Sequence, residues 1–518
     1  METVGFLKKH AALLLSVCFC GIIFFTLNDY GITWDEGVYF KAGDLYCDWL
    51  KNPSLQNIEN YWKLNNEHPP LTKVLGGMTK YLFHEKLHLL NSISSFRLSV
   101  LIFVFFSTYF LFSFVSELLN HKIALFTTAA FFFLPRVFFH SHLGAMDYPI
   151  TVLWFLVIYF YWKGMNKTKW IFVAATLLGF ALLTKVNAFL LYIPILFCWV
   201  LNSWGELKNI QSLSERKNTV THRIFYKIIP MVIIPPIIFI AFWPWLWTDT
   251  LQRLSDYLSF HRHHAVVYTY YWGAQTPIAP WHYPLVLTAI TVPLVIFVPF
   301  IIGLSRIIFR PDKTKIFLLF NALFPLLLIS LPSVPKYDGV RLFLPAFPFI
   351  CMIAGIGLHH LFMFKKGKWG NFLFLIYTLI FLVTIHTSIL KPHPYQSSYF
   401  NELIGGIDGA AKNGFEAEYW GNAYIGILPW MNQNAQSTFW VYTADLEPKV
   451  LWGFDEYKEN GMLNKTVKFS DKNNSDYLVL LIRQGFFNEE MWKYYKYEKP
   501  VFSVQLSQTN LVNIYRLK

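Results

Sequence analysis

With 518 residues, 55% of them hydrophobic and only 14% charged, the chain is far more apolar than a water-soluble domain, in which about a quarter of residues carry charge. The formal net charge of +13 does not mark a nucleic-acid binder, because the basic residues stand in short loops between apolar runs and not on one exposed face or tail. That placement follows the positive-inside bias, with membrane lipid and its anionic headgroups as the partner, and the more polar last quarter divides the chain into two regions.

A helix crosses a hydrocarbon core about 30 Å thick with roughly 20 apolar residues. About eleven such runs are found near residues 11–27, 96–116, 122–139, 148–163, 170–184, 187–202, 228–247, 283–304, 316–332, 342–363 and 371–390. The first follows Lys8 and Lys9 and shows no small-residue cleavage site after Asn28, so it is expected to stay as an anchor and not to act as a signal peptide. With the N-terminus cytoplasmic, the loops holding Lys163, Lys167, Lys169, Lys208, Arg216, Lys217, Arg223 and Lys227, and later Arg306, Arg310, Lys313, Lys315, Lys365, Lys366 and Lys368, face the cytoplasm. The opposite loops carry fewer basic residues, chiefly Lys185, Arg253, Arg262, Lys336 and Arg341. Cys18, Cys20, Cys198 and Cys351 fall inside apolar runs, Cys47 reads as exposed, and no spacing fits a zinc site.

Two long segments lie outside: 28–94 and everything after Leu390. The second contains strand-like runs at 437–443, 477–482 and 511–517 among turn-rich stretches, which predicts a small α/β domain over 391–518. The expected architecture is an all-α polytopic membrane region, 1–390, followed by that extracytoplasmic domain. Trp243, Trp245, Trp247, Tyr270, Tyr271 and Trp272 read mostly as an interfacial aromatic belt.

The residues able to carry chemistry gather at loop edges. Directly after the first run comes Thr33-Trp34-Asp35-Glu36, two acids that read either as an acidic helix start or as functional carboxylates at a membrane surface. Glu67-His68-Pro69-Pro70-Leu71-Thr72-Lys73 follows, where paired prolines permit a helix to start and His68 stands at its amino end, a place that favours anions. Asp147 precedes the fourth run, as a helix cap or an acid of the site. Lys185 and Arg341 stand at external span ends, where Arg341 offers a fork for phosphate oxygens and Lys185 reads equally as a snorkelling side chain. His261 and His264 share a spacing that sets two imidazoles on one helical face; a solvated or phosphate-facing pair comes ahead of a metal site, since no carboxylate or cysteine adjoins at a familiar ligand spacing.

Together, and in this order in the first external loop, Asp35-Glu36 and His68-Pro69-Pro70-Leu71 with Lys73 resemble the protein mannosyltransferases and the wider glycosyltransferase family 39. Met146-Asp147-Tyr148 is similar to the second acidic position of related lipid-sugar transferases of the GT-C fold, the aminoarabinose transferases among them, and Arg341-Leu342-Phe343-Leu344-Pro345 resembles the start of a late span. The resemblance implies a GT-C fold and transfer from a polyprenyl-phosphate-linked sugar to an acceptor hydroxyl, with Asp35 as general base, Glu36 orienting the acceptor or sharing that role, and Asp147 as a second candidate. Phosphate monoester is a good leaving group, so cations are needed more than a general acid. His68, Lys185 and Arg341 are the expected cations, with Lys73, His261 and His264 beside them in the substrate-binding set, and no cofactor or metal is required. The long central external loop of the eukaryotic enzymes has no counterpart in 248–283, so the acceptor stays open among glycan, lipid and protein, and a bacterial inner membrane fits best. His393-Pro394-Tyr395 and the following Tyr399 to Gly406 stretch are similar to a segment of bacterial members without an assigned role. The alternatives are a secondary transporter, which calls for acids inside the spans and repeated halves, and a non-catalytic assembly protein that displays its tail.

Overall fold

A computed structural model describes residues 2–209, 219–262, 266–363, 368–444 and 448–517. Among the described residues, six helices are long and apolar enough to cross a membrane: Ser92–Leu118, Val186–Ser203, Thr219–Ala241, Lys313–Ser330, Arg341–Phe362 and Phe372–Leu390. His10–Thr26, Lys169–Leu182 and Leu294–Phe309 are shorter apolar helices. The remaining expected runs are broken or central. Pro135 drives Leu134 to an extended ψ of 121° and splits 122–139 into His121–Phe132 and Pro135–His140. Asp147–Asn166 is buried on nearly every side, as befits a helix apolar all round at the middle of a bundle. Two boundaries shift for the same kind of reason: the run expected at 228–247 is a helix ending at Ala241 before the Trp243-Pro244 turn, and 283–304 is interrupted at Val292-Pro293. Val232, Ile233, Ile237, Phe372, Leu375, Leu382 and Val383 remain exposed, the surface a helix bundle offers to lipid tails.

The first long loop folds onto one end of the bundle. Its helix Trp34–Lys51 starts at a capping box, in which the Thr33 N–H donates to Glu36 Oε2 at 3.0 Å. Helix Leu71–Lys80 lies against it at Gly43 and Gly77, so close that a Cβ on Gly77 would stand 2.3 Å from the Gly43 carbonyl oxygen. Cys47, on helix Trp34–Lys51, is buried, which corrects the reading of an exposed thiol.

Further along, β1 (Thr269–Tyr271) and β2 (Ala274–Thr276) form a hairpin whose turn residues Trp272 and Gly273 have φ of 56° and 81°, as a tight two-residue turn demands. Tyr271 packs on Phe415, and Trp243 and Trp245 are buried, so these aromatics belong to the core and not to a belt; Trp247 and Trp272 are exposed. After residue 390 the chain builds a five-stranded mixed sheet from β3 (Thr438–Val441), β4 (Lys468–Phe469), β5 (Tyr477–Leu481), β6 (Phe502–Leu506) and β7 (Thr509–Arg516), in the order β4-β3-β5-β7-β6. Period-two alternation divides its faces: Val479, Leu481, Val512 and Ile514 join the main core, while Leu478, Leu480 and Tyr515 pack with Met491 in a second one. The His393 to Gly406 stretch stitches the tail to the bundle: His393 meets Asp29 at 3.0 Å, Gln396 accepts from Tyr30 at 2.8 Å, and the Asn401 amide donates to the carbonyls of Ala289 and Val292 at 2.6 and 2.7 Å.

Candidate active site

Asp35 lies in the first turn of Trp34–Lys51, where the first span has just ended. Its Oδ2 accepts from Arg341 Nη1 at 2.7 Å and from the Trp420 indole N–H at 3.1 Å. No hydrogen bond among the described residues reaches Oδ1, and the side chain keeps 20% of its exposure, so one oxygen is fixed and the other is free. Arg341 also lies over the Trp420 ring at 4.8 Å and pairs through Nη2 with Asp338 at 3.2 Å. Asp338 in turn pairs with Arg483 of the tail at 2.7 Å, giving an alternating chain Asp35, Arg341, Asp338, Arg483. Glu418 holds Trp420 in place by accepting from the N–H groups of Tyr419, Trp420 and Gly421 at 2.8 to 3.1 Å.

Asp147, at the start of its helix, accepts from Lys185 Nζ at 2.6 Å. Burial first, and then the carboxylates of Asp35 and Asp147, hold the Tyr39 phenol well above its usual range. His140 is fully buried with neither ring nitrogen partnered among the described residues, 5.1 Å from the Trp420 ring and within electrostatic reach of Asp147, Arg341 and Lys185. The structure therefore brings Asp35, Asp147, Lys185 and Arg341 into one site at one end of the bundle.

The other residues expected at the site meet different surroundings. Glu36 is wholly buried and takes Arg97 Nε and Nη2 at 2.8 and 2.7 Å, the Gly144 N–H at 2.8 Å, and the N–H and hydroxyl of Thr33. It has no face left for an acceptor, and its geometry is that of a structural anchor. Lys73 is likewise consumed, donating to Asn65 O, Asn65 Oδ1 and His68 O at 2.7 to 3.0 Å, and thus locks the turn ahead of the prolines without reaching a substrate. Burial, then Lys73 and His261, push the His68 imidazole well below its usual range, which disfavours the cation expected there. His261 stands 6.0 Å from it, ring to ring, and meets the Glu67 carbonyl at 3.0 Å. His264 lies outside the described residues.

Sequence reasoning missed Asp338, His140, Trp420 and Arg483. An acid three residues before Arg341 was visible, but the tail residues have no sequence signal, because only folding carries them to the first loop. Beneath them Glu416 accepts from the Gly485 N–H at 2.8 Å; burial pushes its carboxyl up to about 7, against Arg483. Since the folded protein then holds a proton that the unfolded chain releases above about 4.5, stability should fall as pH rises from about 4.5 to about 7, by at most about 3 kcal/mol. Glu416→Gln, which keeps the acceptor for Gly485, is expected to flatten that fall in melting curves taken across the range.

By sequence, residues 67–214 match the family model for dolichyl-phosphate-mannose-protein mannosyltransferase, a stretch that includes His68, Lys73, Asp147 and Lys185. No curated protein matches the chain by sequence. By structure, the chain is similar to ArnT from Cupriavidus metallidurans bound to undecaprenyl phosphate, with TM-score 0.52 at 13% identity over 98% of both chains. The apo form of ArnT gives TM-score 0.52 at 13% identity over 100% of this chain and 99% of that one. Archaeal AglB from Archaeoglobus fulgidus, in complex with an inhibitory peptide and a dolichol-phosphate, gives 0.48 at 12% identity over 94% and 71%. The near-complete overlap with ArnT shows the GT-C fold that the first-loop motifs implied.

Proposed function

We propose that this membrane protein transfers a sugar from a polyprenyl-phosphate-linked donor to an acceptor hydroxyl on the extracytoplasmic side, with Asp35 as general base. The observation that carries the reading is the divided carboxylate: Arg341 and Trp420 fix Oδ2 while Oδ1 stays open beside a cluster of cations. As the acceptor oxygen bonds to the anomeric carbon, its proton passes to Oδ1. The bond from that carbon to the phosphate oxygen breaks, and polyprenyl phosphate leaves with its charge against Arg341 and Lys185. Asp147 keeps Lys185 aimed at that place.

The family model over 67–214 and the undecaprenyl phosphate named with ArnT support this donor class. The chain is read as a multi-pass protein of the cell inner membrane with a cytoplasmic N-terminus, a catalytic membrane domain over 1–390 and an extracytoplasmic domain over 391–518, because the basic loops fall on the side away from the acids. The acceptor is a glycan, lipid or protein.

The reading is tested by offering a panel of polyprenyl-phosphate sugars to membranes holding the protein and following release of polyprenyl phosphate. Release with one donor is expected; silence with every donor would sink the proposal. With that donor, Arg341→Lys should lower kcat/KM about 10- to 100-fold, because lysine keeps the charge but cannot grip Asp35 and Asp338 with one planar fork.

A further inference from the structure

At the end of the bundle away from the acids lies a half-open cavity of about 620 Å³, within the range of small-ligand sites. Helix Phe347–Met363, which begins next to the Arg341 segment, carries His359 to this cavity about 18 Å further along its axis. Its inner wall is apolar, formed by Leu118, Leu318, Met352 and Ile356, and its rim carries Arg306, Lys313 and Lys315.

The charges are unbalanced. Asp312 is the acid of the lining, and it is occupied twice: it pairs with Lys315 at 2.7 Å and caps its own helix by accepting from the Lys315 N–H at 2.9 Å. Arg306 and Lys313 have no hydrogen bond or ion pair from their side chains among the described residues. His359, also in the lining, takes a contact from the Asn120 amide at 3.2 Å and adds no acid. Two unpaired cations above an apolar slot between spans match a molecule with an anionic head and a hydrocarbon body.

We infer that this cavity binds one anionic phospholipid, its phosphate between Arg306 and Lys313 and an acyl chain along Leu318 and Met352. A free anion would leave the apolar wall unfilled, and a zwitterionic lipid would bring its own cation against Arg306. The site is separate from the acids and does not depend on the transfer reaction proposed for them.

The test uses the full chain purified in detergent and incubated with phosphatidylglycerol, phosphatidylcholine or inorganic phosphate, with retained ligand counted by native mass spectrometry. One phosphatidylglycerol per chain is expected, retained at least tenfold better than phosphatidylcholine, and reduced at least tenfold in an Arg306→Gln, Lys313→Gln double variant. Neither residue is buried, so the lipid-free variant should melt as wild type does; if it does not, Lys313→Gln alone is used and should still lower retention. Equal retention of the two lipids, retention unchanged by the substitutions, or displacement of the lipid by inorganic phosphate would overturn the inference.

Discussion

Asp35→Asn is expected to lower transfer by about 10²- to 10⁴-fold while expression, membrane insertion and melting stay close to wild type. The amide keeps the volume and still accepts through its carbonyl from Arg341 or Trp420, so the local contacts persist. What disappears is the basicity of the open oxygen. Asp147→Asn should act differently: it loosens Lys185 and so weakens donor binding, raising KM more than it lowers kcat. If Asp147→Asn abolished turnover and Asp35→Asn did not, the base would be Asp147. Glu402→Gln, exposed in the tail, serves as the control and should change little.

The second large effect concerns folding. Glu36→Gln should cost about 3–5 kcal/mol, because it leaves Arg97 charged, fully buried and without its counter-ion. The loss is larger than a surface pair would suggest, since Arg97 also ties down the carbonyls of Leu27, Tyr30 and Gly31, the segment that leads from the first span to Asp35. Melting in detergent and yield in the membrane fraction measure it. A role for Glu36 in touching the acceptor would instead give a normally folded protein without turnover, and that outcome would overturn the anchor assignment. The adjacent acids thus separate by physical setting: one carboxylate is enclosed by five donors, while its neighbour keeps an oxygen open.

Much of the membrane architecture was legible because a helix in lipid must satisfy its own backbone and present apolar side chains, and both demands are written in local composition. Misplaced boundaries fell at Trp243-Pro244 and Val292-Pro293, where proline ends a helix inside a run that hydropathy reads as continuous. In the tail, three of the five strands were visible as apolar or alternating runs; β4 has two residues and β6 lies at the sheet edge with half-exposed side chains, so neither carries a strong pattern. Lys73 illustrates the limit for sites: the motif it shares with the resembled family put it in the substrate-binding set, but a buried ammonium takes the nearest carbonyls, and those belong to its own turn.

The sequence by itself determined a membrane-embedded helical region, a mixed tail and the acids and cations from which a site is built, because hydropathy, proline breaks and first-loop motifs are local. Only the tertiary structure decided which of them meet. Asp35 and Arg341, more than three hundred positions apart, are joined at 2.7 Å, and Trp420, Asp338 and Arg483 enter the same cluster from the tail and the late loop. Charge pairing falls steeply with distance and desolvation, and both are properties of packed neighbours, not of the spacing between residues along the chain.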